Sequence, residues 1–168
     1  GHVHYKGDIR GGLEKVDLRG AFTTALGAVS VNGNLHVDTT LHDFDFCGHV
    51  STRRFQLGRM LNQPDLGMIA FHAHVDGEFD SLQLVHCIAE ADIRKIEYKG
   101  YTYNNLRLDG EMRPEEVSGS VSINDENLRL SINGLADRSE EDTRLDVTMQ
   151  LADFKTASLH LINQYPDL

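Results

Sequence analysis

The chain is organised by alternation. From Leu66 to Phe79 it reads LGMIAFHAHVDGEF, with Ile69, Phe71, Ala73, Val75, Gly77 and Phe79 on one parity and Ala70, His72, His74, Asp76 and Glu78 on the other. Successive side chains of a strand point to opposite faces, so a period of two predicts a β-strand with one apolar and one wet face. The same rhythm runs through 2–10, 13–22 and 29–41, where Val29, Val31, Gly33, Leu35, Val37, Thr39 and Leu41 share a face. It resumes at Phe44, Phe46, Gly48 and Val50 after a turn expected near His42 and Asp43. Within 82–98, Val85, Cys87, Ala89, Ala91 and Ile93 agree, whereas Ile96 and Tyr98 have slipped by one. An extra residue on one strand shifts parity in this way, so a bulge is expected near Arg94 and Lys95. Further strands are expected over 101–112, 117–123, 128–136, 145–151 and 159–162, with a tight hairpin turn at Asp125-Glu126-Asn127.

One segment departs from the period of two. Residues 55–62, with Phe55, Leu57, Met60 and Leu61 at helical spacing, predict a short helix, closed by Pro64. Proline disfavours helical backbone at the residue before it. Residues 155–164 are a second helical candidate.

An apolar-x-Gly-x-apolar signature occurs eight times, at 5–9, 18–22, 31–35, 46–50, 75–79, 108–112, 117–121 and 132–136. In a strand, positions i−2, i and i+2 point the same way, so each glycine occupies the apolar face where a side chain is expected. Glycine inside a strand weakens it and marks a bend, a bulge or a close approach. A row of such glycines on neighbouring strands would leave a furrow or let the sheet bend; the other reading is that each marks a strand end before a turn. The irregular spacing argues against a strict solenoid.

These elements predict one all-β domain over 1–168: a long antiparallel sheet folded into a trough with a hydrophobic groove. A closed sandwich or barrel is the alternative, since few helices are available to cover the apolar face. The 168 residues carry a formal net charge of −10 and no Lys/Arg run longer than Arg53-Arg54, which argues against a nucleic-acid partner. No apolar run approaches the roughly 20 residues of a membrane-spanning helix. Cys47 and Cys87 allow one disulfide or two free thiols. The chain begins inside an alternating pattern, at Gly1-His-Val-His, which reads as a fragment of a longer protein.

Strong catalytic motifs are lacking. His72-x-His74-x-Asp76 has the spacing of a zinc-hydrolase motif, but Gly77 stands where that motif continues with histidine, so these three residues read first as a solvated face. Lone histidines and the carboxylate neighbours Asp43 and Asp45, Glu115 and Glu116, and 139–142 read as wet faces and turns. Neither a cofactor motif nor a set of catalytic residues is assigned.

Several stretches resemble the TamB/AsmA-like superfamily of bacterial envelope proteins in its Bacteroidetes form. They are Phe46-Cys-Gly48-His-Val50, Phe55-Gln-Leu57-Gly58-Arg-Met60-Leu61, Leu66-Gly67 leading into Val75-Asp-Gly77, Tyr98-Lys-Gly100-Tyr101-x-Tyr103-Asn-Asn105-Leu-x-Leu108-Asp-Gly110, and Gly119-x-Val-x-Ile123-x-Asp125-x-Asn127-Leu128. The likeness spans about residues 28–136. It implies a folded sheet around a hydrophobic groove (a "β-taco"), a periplasmic location and an inner-membrane anchor outside this chain. It also implies a role in moving phospholipid or another acyl-chain ligand between the inner and outer membranes, in support of outer-membrane biogenesis. A barrel-assembly protein of the outer membrane is an implied partner, through regions outside this fragment. The family has no catalytic residues to carry over. The groove-facing positions expected from parity are Val31, Leu35, Val37, Phe46, Val50, Phe71, Val75, Phe79, Leu108, Met112, Val121, Leu130 and Ile132. The alternative functions are a non-enzymatic assembly module that pairs strands at its sheet edges and, third, a zinc hydrolase at His72, His74 and Asp76.

Overall fold

The computed structural model describes residues 2–12, 14–38, 43–80, 83–138 and 143–155. Ten strands follow one another: β1 (His4–Gly11), β2 (Lys15–Thr24), β3 (Gly27–Asp38), β4 (Asp43–Gln56), β5 (Leu66–Asp80), β6 (Gln83–Tyr98), β7 (Tyr101–Met112), β8 (Glu116–Asn124), β9 (Leu128–Asp137) and β10 (Arg144–Phe154). One helix, α1 (Leu57–Leu61), lies between β4 and β5. Each strand pairs antiparallel with the next, so sequence order is also sheet order. The sheet is open. The closed sandwich or barrel does not form: among the described residues β1 and β10 do not pair with each other, and the strands pack on their sequence neighbours. The strand expected over 159–162, the loop at 139–142 and all but Lys155 of the helical candidate over 155–164 lie outside the described residues.

A single layer has little interior. The buried apolar residues among those described are Ile69, Ala70, Ala73, Tyr103 and Leu128. The chain exposes 12082 Å², whereas a compact monomer of its mass would expose about 8,300 Å². A lone sheet leaves one apolar face unburied.

Two local expectations need correction. The helix ends at Asn62, in the left-handed region at φ 53°, with the Gln63 N–H donating to the Gly58 carbonyl at 2.8 Å. Pro64 comes later, and Phe55 and Gln56 belong to β4. The bulge near Arg94 is present: Ala70 pairs with Lys95 and Phe71 with Ile93. A second register shift had no parity signal. Glu78 pairs with His86 but Phe79 with Leu84, so Val85 is left over and is 42% exposed. Leu84, rather than Val85, continues the apolar face.

The register places the glycines. Ile9, Leu18, Gly33, Gly48, Val75, Ala89, Gly110, Gly119, Gly134 and Val147 are successive cross-strand partners, forming one transverse row over all ten strands. Gly7 and Gly20 pair one step to the side. Small residues here let neighbouring backbones come close: a Cβ on Gly48 would lie 2.5 Å from the Gly33 Cα. Backbone atoms in a ladder cannot move aside cheaply, so Gly48→Val is expected to cost about 1–3 kcal/mol. Denaturant unfolding measures this; an unchanged midpoint would contradict the close approach.

The sheet's most buried apolar cluster lies at the end that carries α1. There Tyr103 and Leu128 are buried against Ile96, Tyr98, Tyr101, Leu106, Ile123 and Leu130. Asn105, at φ 55°, resets β7 so that Leu106 faces Ile93 and Tyr103 faces Ile96. The turn Asp125-Glu126-Asn127 ties this end together. The Asp125 carboxylate is 3% exposed and accepts hydrogen bonds from the Tyr101 hydroxyl, the Asn104 N–H and side-chain amide (both 3.0 Å) and the Asn127 N–H (3.0 Å).

Candidate functional site

The thirteen groove positions expected from parity all fall on one face, as the cross-strand register shows. Val31 faces Val50, Leu35 faces Phe46, Phe71 faces Ile93, Leu108 faces Val121, and Val121 faces Ile132. That face has three regions of different character. Leu130 packs against the Tyr103 and Leu128 cluster.

Over β1–β5 the glycine sites are filled by aromatic rings. A Cβ on Gly33 or Gly48 would meet the Phe46 ring at 3.0 or 3.1 Å, and one on Gly77 would meet the Phe79 ring at 3.1 Å. Tyr5 lies over Gly7 and Gly20 in the same way, its hydroxyl 2.8 and 2.7 Å from their Cβ positions. Phe44 and Phe79 stack at 4.6 Å. Rings laid over strand glycines replace the missing side-chain packing. Phe46 and Phe79 are therefore the rings that cover glycines here, and Val31, Leu35, Val37, Val50, Phe71 and Val75 share their face.

Over β6–β10, among the described residues, no ring covers the row. The side-chain atoms nearest to a Cβ on Gly110 and Gly134 are Leu108 Cδ2 at 4.0 Å and Val147 Cγ2 at 3.6 Å. A cavity of about 410 Å³ opens there. Its floor is Ala89, Gly110, Gly119 and Gly134. Leu108, Val121 and Ile132 form one wall, while Cys87, Met112, Val117, Ala136 and Leu145 form the other. Four of the expected positions, Leu108, Met112, Val121 and Ile132, are thus brought together. Cys87, Ala89, Val117, Ala136 and Leu145 were not among those expected. A signal for this region does exist in the chain, because no Phe occurs between Phe79 and Phe154. Glycines flanked only by aliphatics have no ring to cover them.

Burial pushes the Cys87 thiol above its ordinary value, with the Asp76 carboxylate adding to the shift. Cys47 is exposed on the wet face, and both thiols are free. Cys87 is expected to react with N-ethylmaleimide more slowly than Cys47, since the thiolate is the nucleophile. Peptide mapping after timed alkylation reads this; faster labelling at Cys87 would contradict it.

The wet face carries His36, His49, His72, His74 and His86. His49 is the cross-strand partner of His74, with rings 4.9 Å apart, and lies 5.3 Å from the ring of His72. Asp76 is two residues further along β5, opposite Cys47. Among the described residues, no group of three His, Cys, Asp or Glu is placed to hold a metal ion. His36 and His86 pair with Asp45 at 3.7 Å and Glu111 at 2.9 Å. Glu116 lies 3.5 Å from Arg113, which also reaches Glu111 at 2.6 Å. Among the described residues, no helix is long and apolar enough to cross a membrane. No protein-family model, no curated protein and no solved structure matches this chain.

Proposed function

We propose that this sheet is a lipid-holding module of the bacterial cell envelope, which binds or passes on acyl chains in the periplasm between the inner and outer membranes. The observation that carries the reading is the uncovered part of the glycine row. It is an apolar cavity of about 410 Å³ on an open face, within the size range of small-molecule sites. Its walls are apolar (Leu, Val, Ile, Ala, Met112 and Cys87) and its floor is nearly bare backbone, a shape suited to an unbranched chain and offering little to a polar one.

The energetics favour transient holding. Ten buried methylenes would gain about 8 kcal/mol at most. Association and ordering cost at least about 4 kcal/mol. The balance is modest, similar to the marginal, reversible membrane binding of a single acyl chain. A carrier must release its cargo, and a site without a directed polar contact does so readily.

The test uses the two cysteines. Palmitic acid is expected to slow alkylation of Cys87, which lines the cavity, and to leave Cys47, on the opposite face, unchanged. Organic extraction of purified protein is expected to release acyl chains. Equal Cys87 rates with and without palmitic acid, together with an empty extract, would sink the reading.

A further inference from the structure

A second cavity points to a different ligand chemistry: we propose that Arg53, Arg54 and Arg94 together bind a phosphoryl group, carried by a soluble phosphate monoester or by a lipid head. All three line one open cavity of about 670 Å³, with His72, Ser30 and Ser51 beside them. Its lining includes no carboxylate.

The register of the sheet brings the arginines to this place. Thr52 pairs with Phe71 and Phe55 with Ile69, so Arg53 and Arg54 on β4 stand against Ala70 alone. On the other side of β5, Ala70 pairs with Lys95 and Phe71 with Ile93, which makes Arg94 the extra residue of β6. Two bulges thus flank the same residue of β5, and on both sides the inserted residues are arginines. A bulge leaves a residue unpaired and re-aims its side chain, and bulges gather beside functional sites. Ala70, between them, contributes only a methyl group. The β4 bulge is pinned by Thr52, which is 3% exposed. Its hydroxyl donates to the Ala28 carbonyl at 2.8 Å and accepts the Arg54 N–H at 3.2 Å.

Charge sets these three arginines apart. The chain carries 26 Asp and Glu against 16 Lys and Arg, and elsewhere on the sheet its arginines meet carboxylates. Arg107 reaches Asp109 at 3.3 Å, Arg113 reaches Glu111 at 2.6 Å and Arg129 reaches Asp153 at 3.3 Å. Arg53, Arg54 and Arg94 form no ion pair among the described residues. Arg54 turns its Nε toward the Met68 sulfur at 3.0 Å. Asp92, opposite His72, lines a neighbouring cavity together with Arg107. Three guanidinium groups with no built-in partner are more charge than one carboxylate needs. A phosphate monoester carries up to two charges and three acceptor oxygens. The planar guanidinium fork meets such oxygens two at a time, and the Ser30 and Ser51 hydroxyls add donors.

Calorimetric titration with inorganic phosphate tests the chemistry. Saturable binding is expected, weakened about tenfold or more by Arg53→Gln and again by Arg94→Gln, since each removes charged hydrogen bonds. Arg94→Lys keeps the charge but loses the fork, and should retain only part of the affinity. These side chains are exposed, so circular dichroism should remain that of the parent. Arg10→Gln with Arg19→Gln removes the same charge elsewhere and should leave binding unchanged. Co-sedimentation with phosphatidylcholine vesicles containing phosphatidic acid separates the two sources. Binding that is lost in Arg53→Gln/Arg94→Gln places a lipid head in the site, whereas phosphate binding without vesicle binding makes the ligand a soluble ester. Absence of binding to both probes overturns the proposal. So does an equal loss in the Arg10/Arg19 variant, or vesicle binding that survives removal of Arg53 and Arg94. None of these outcomes bears on whether the apolar cavity holds acyl chains.

Discussion

Val121→Glu is expected to abolish acyl-chain retention while the protein stays folded. Val121 stands between Leu108 and Ile132 on one wall of the cavity and is only half-buried. In the empty protein the new carboxylate can reach water across the open face, so the cost to folding is small. An acyl chain in the cavity would strip that water away. Leaving a carboxylate desolvated without a partner costs at least several kcal/mol, more than the modest surplus available for a single chain. Loss of bound lipid by about 100-fold or more follows, since each 1.4 kcal/mol is tenfold. Native mass spectrometry and lipid extraction, beside an Ile9→Glu control outside the cavity, read the effect. A folded Val121→Glu protein with parental lipid content would place the ligand elsewhere.

The largest stability loss is expected at the opposite kind of site. Asp125→Ala removes the acceptor for the Tyr101 hydroxyl, the Asn104 N–H and amide, and the Asn127 N–H. Donors left unsatisfied in a buried place cost about 1–3 kcal/mol, and more when the lost partner was charged. A total of roughly 2–4 kcal/mol is expected. Asp125→Asn keeps the shape but turns one acceptor into a donor facing Asn104, so it should recover only part. Burial by itself would raise the carboxyl; the hydrogen bonds from Tyr101, Asn127 and Asn104 outweigh it and hold the pKa below the ordinary value of 3.8. The folded form thus binds its proton less readily than the unfolded chain. Its contribution is fully present above the unfolded value and fades as pH falls through the lower folded value. The parent should lose stability in acid below about pH 4, and Asp125→Ala should lack that component. Thermal melts from pH 2 to 7 measure the difference; parallel pH profiles would mean the carboxylate is not the clamp.

How far the sequence could be read differs by feature. Parity marked every strand among the described residues and located the bulge at Arg94, because each strand has one wet and one apolar face. It missed the shift at Val85, where an apolar residue takes the extra position and leaves no break in composition. It also gave Pro64 the helix-ending role that Asn62 performs. Cys47 and Cys87 were open to pairing by count alone; the register sets them on opposite faces of the sheet, separated by β5.

By itself, then, the chain determined which side of each strand is apolar and that glycines recur on that side. Both are local properties, written in a period of two. Only the tertiary structure decided that Gly33, Gly48, Gly110, Gly119 and Gly134 share one transverse row, because register depends on turn lengths and bulges summed over many strands. It alone decided that the Phe46 ring lies over Gly33 and Gly48 while, among the described residues, no ring lies over Gly110, Gly119 and Gly134. Whether a furrow is filled depends on rings reaching across from neighbouring strands, and alternation within a single strand carries no information about that.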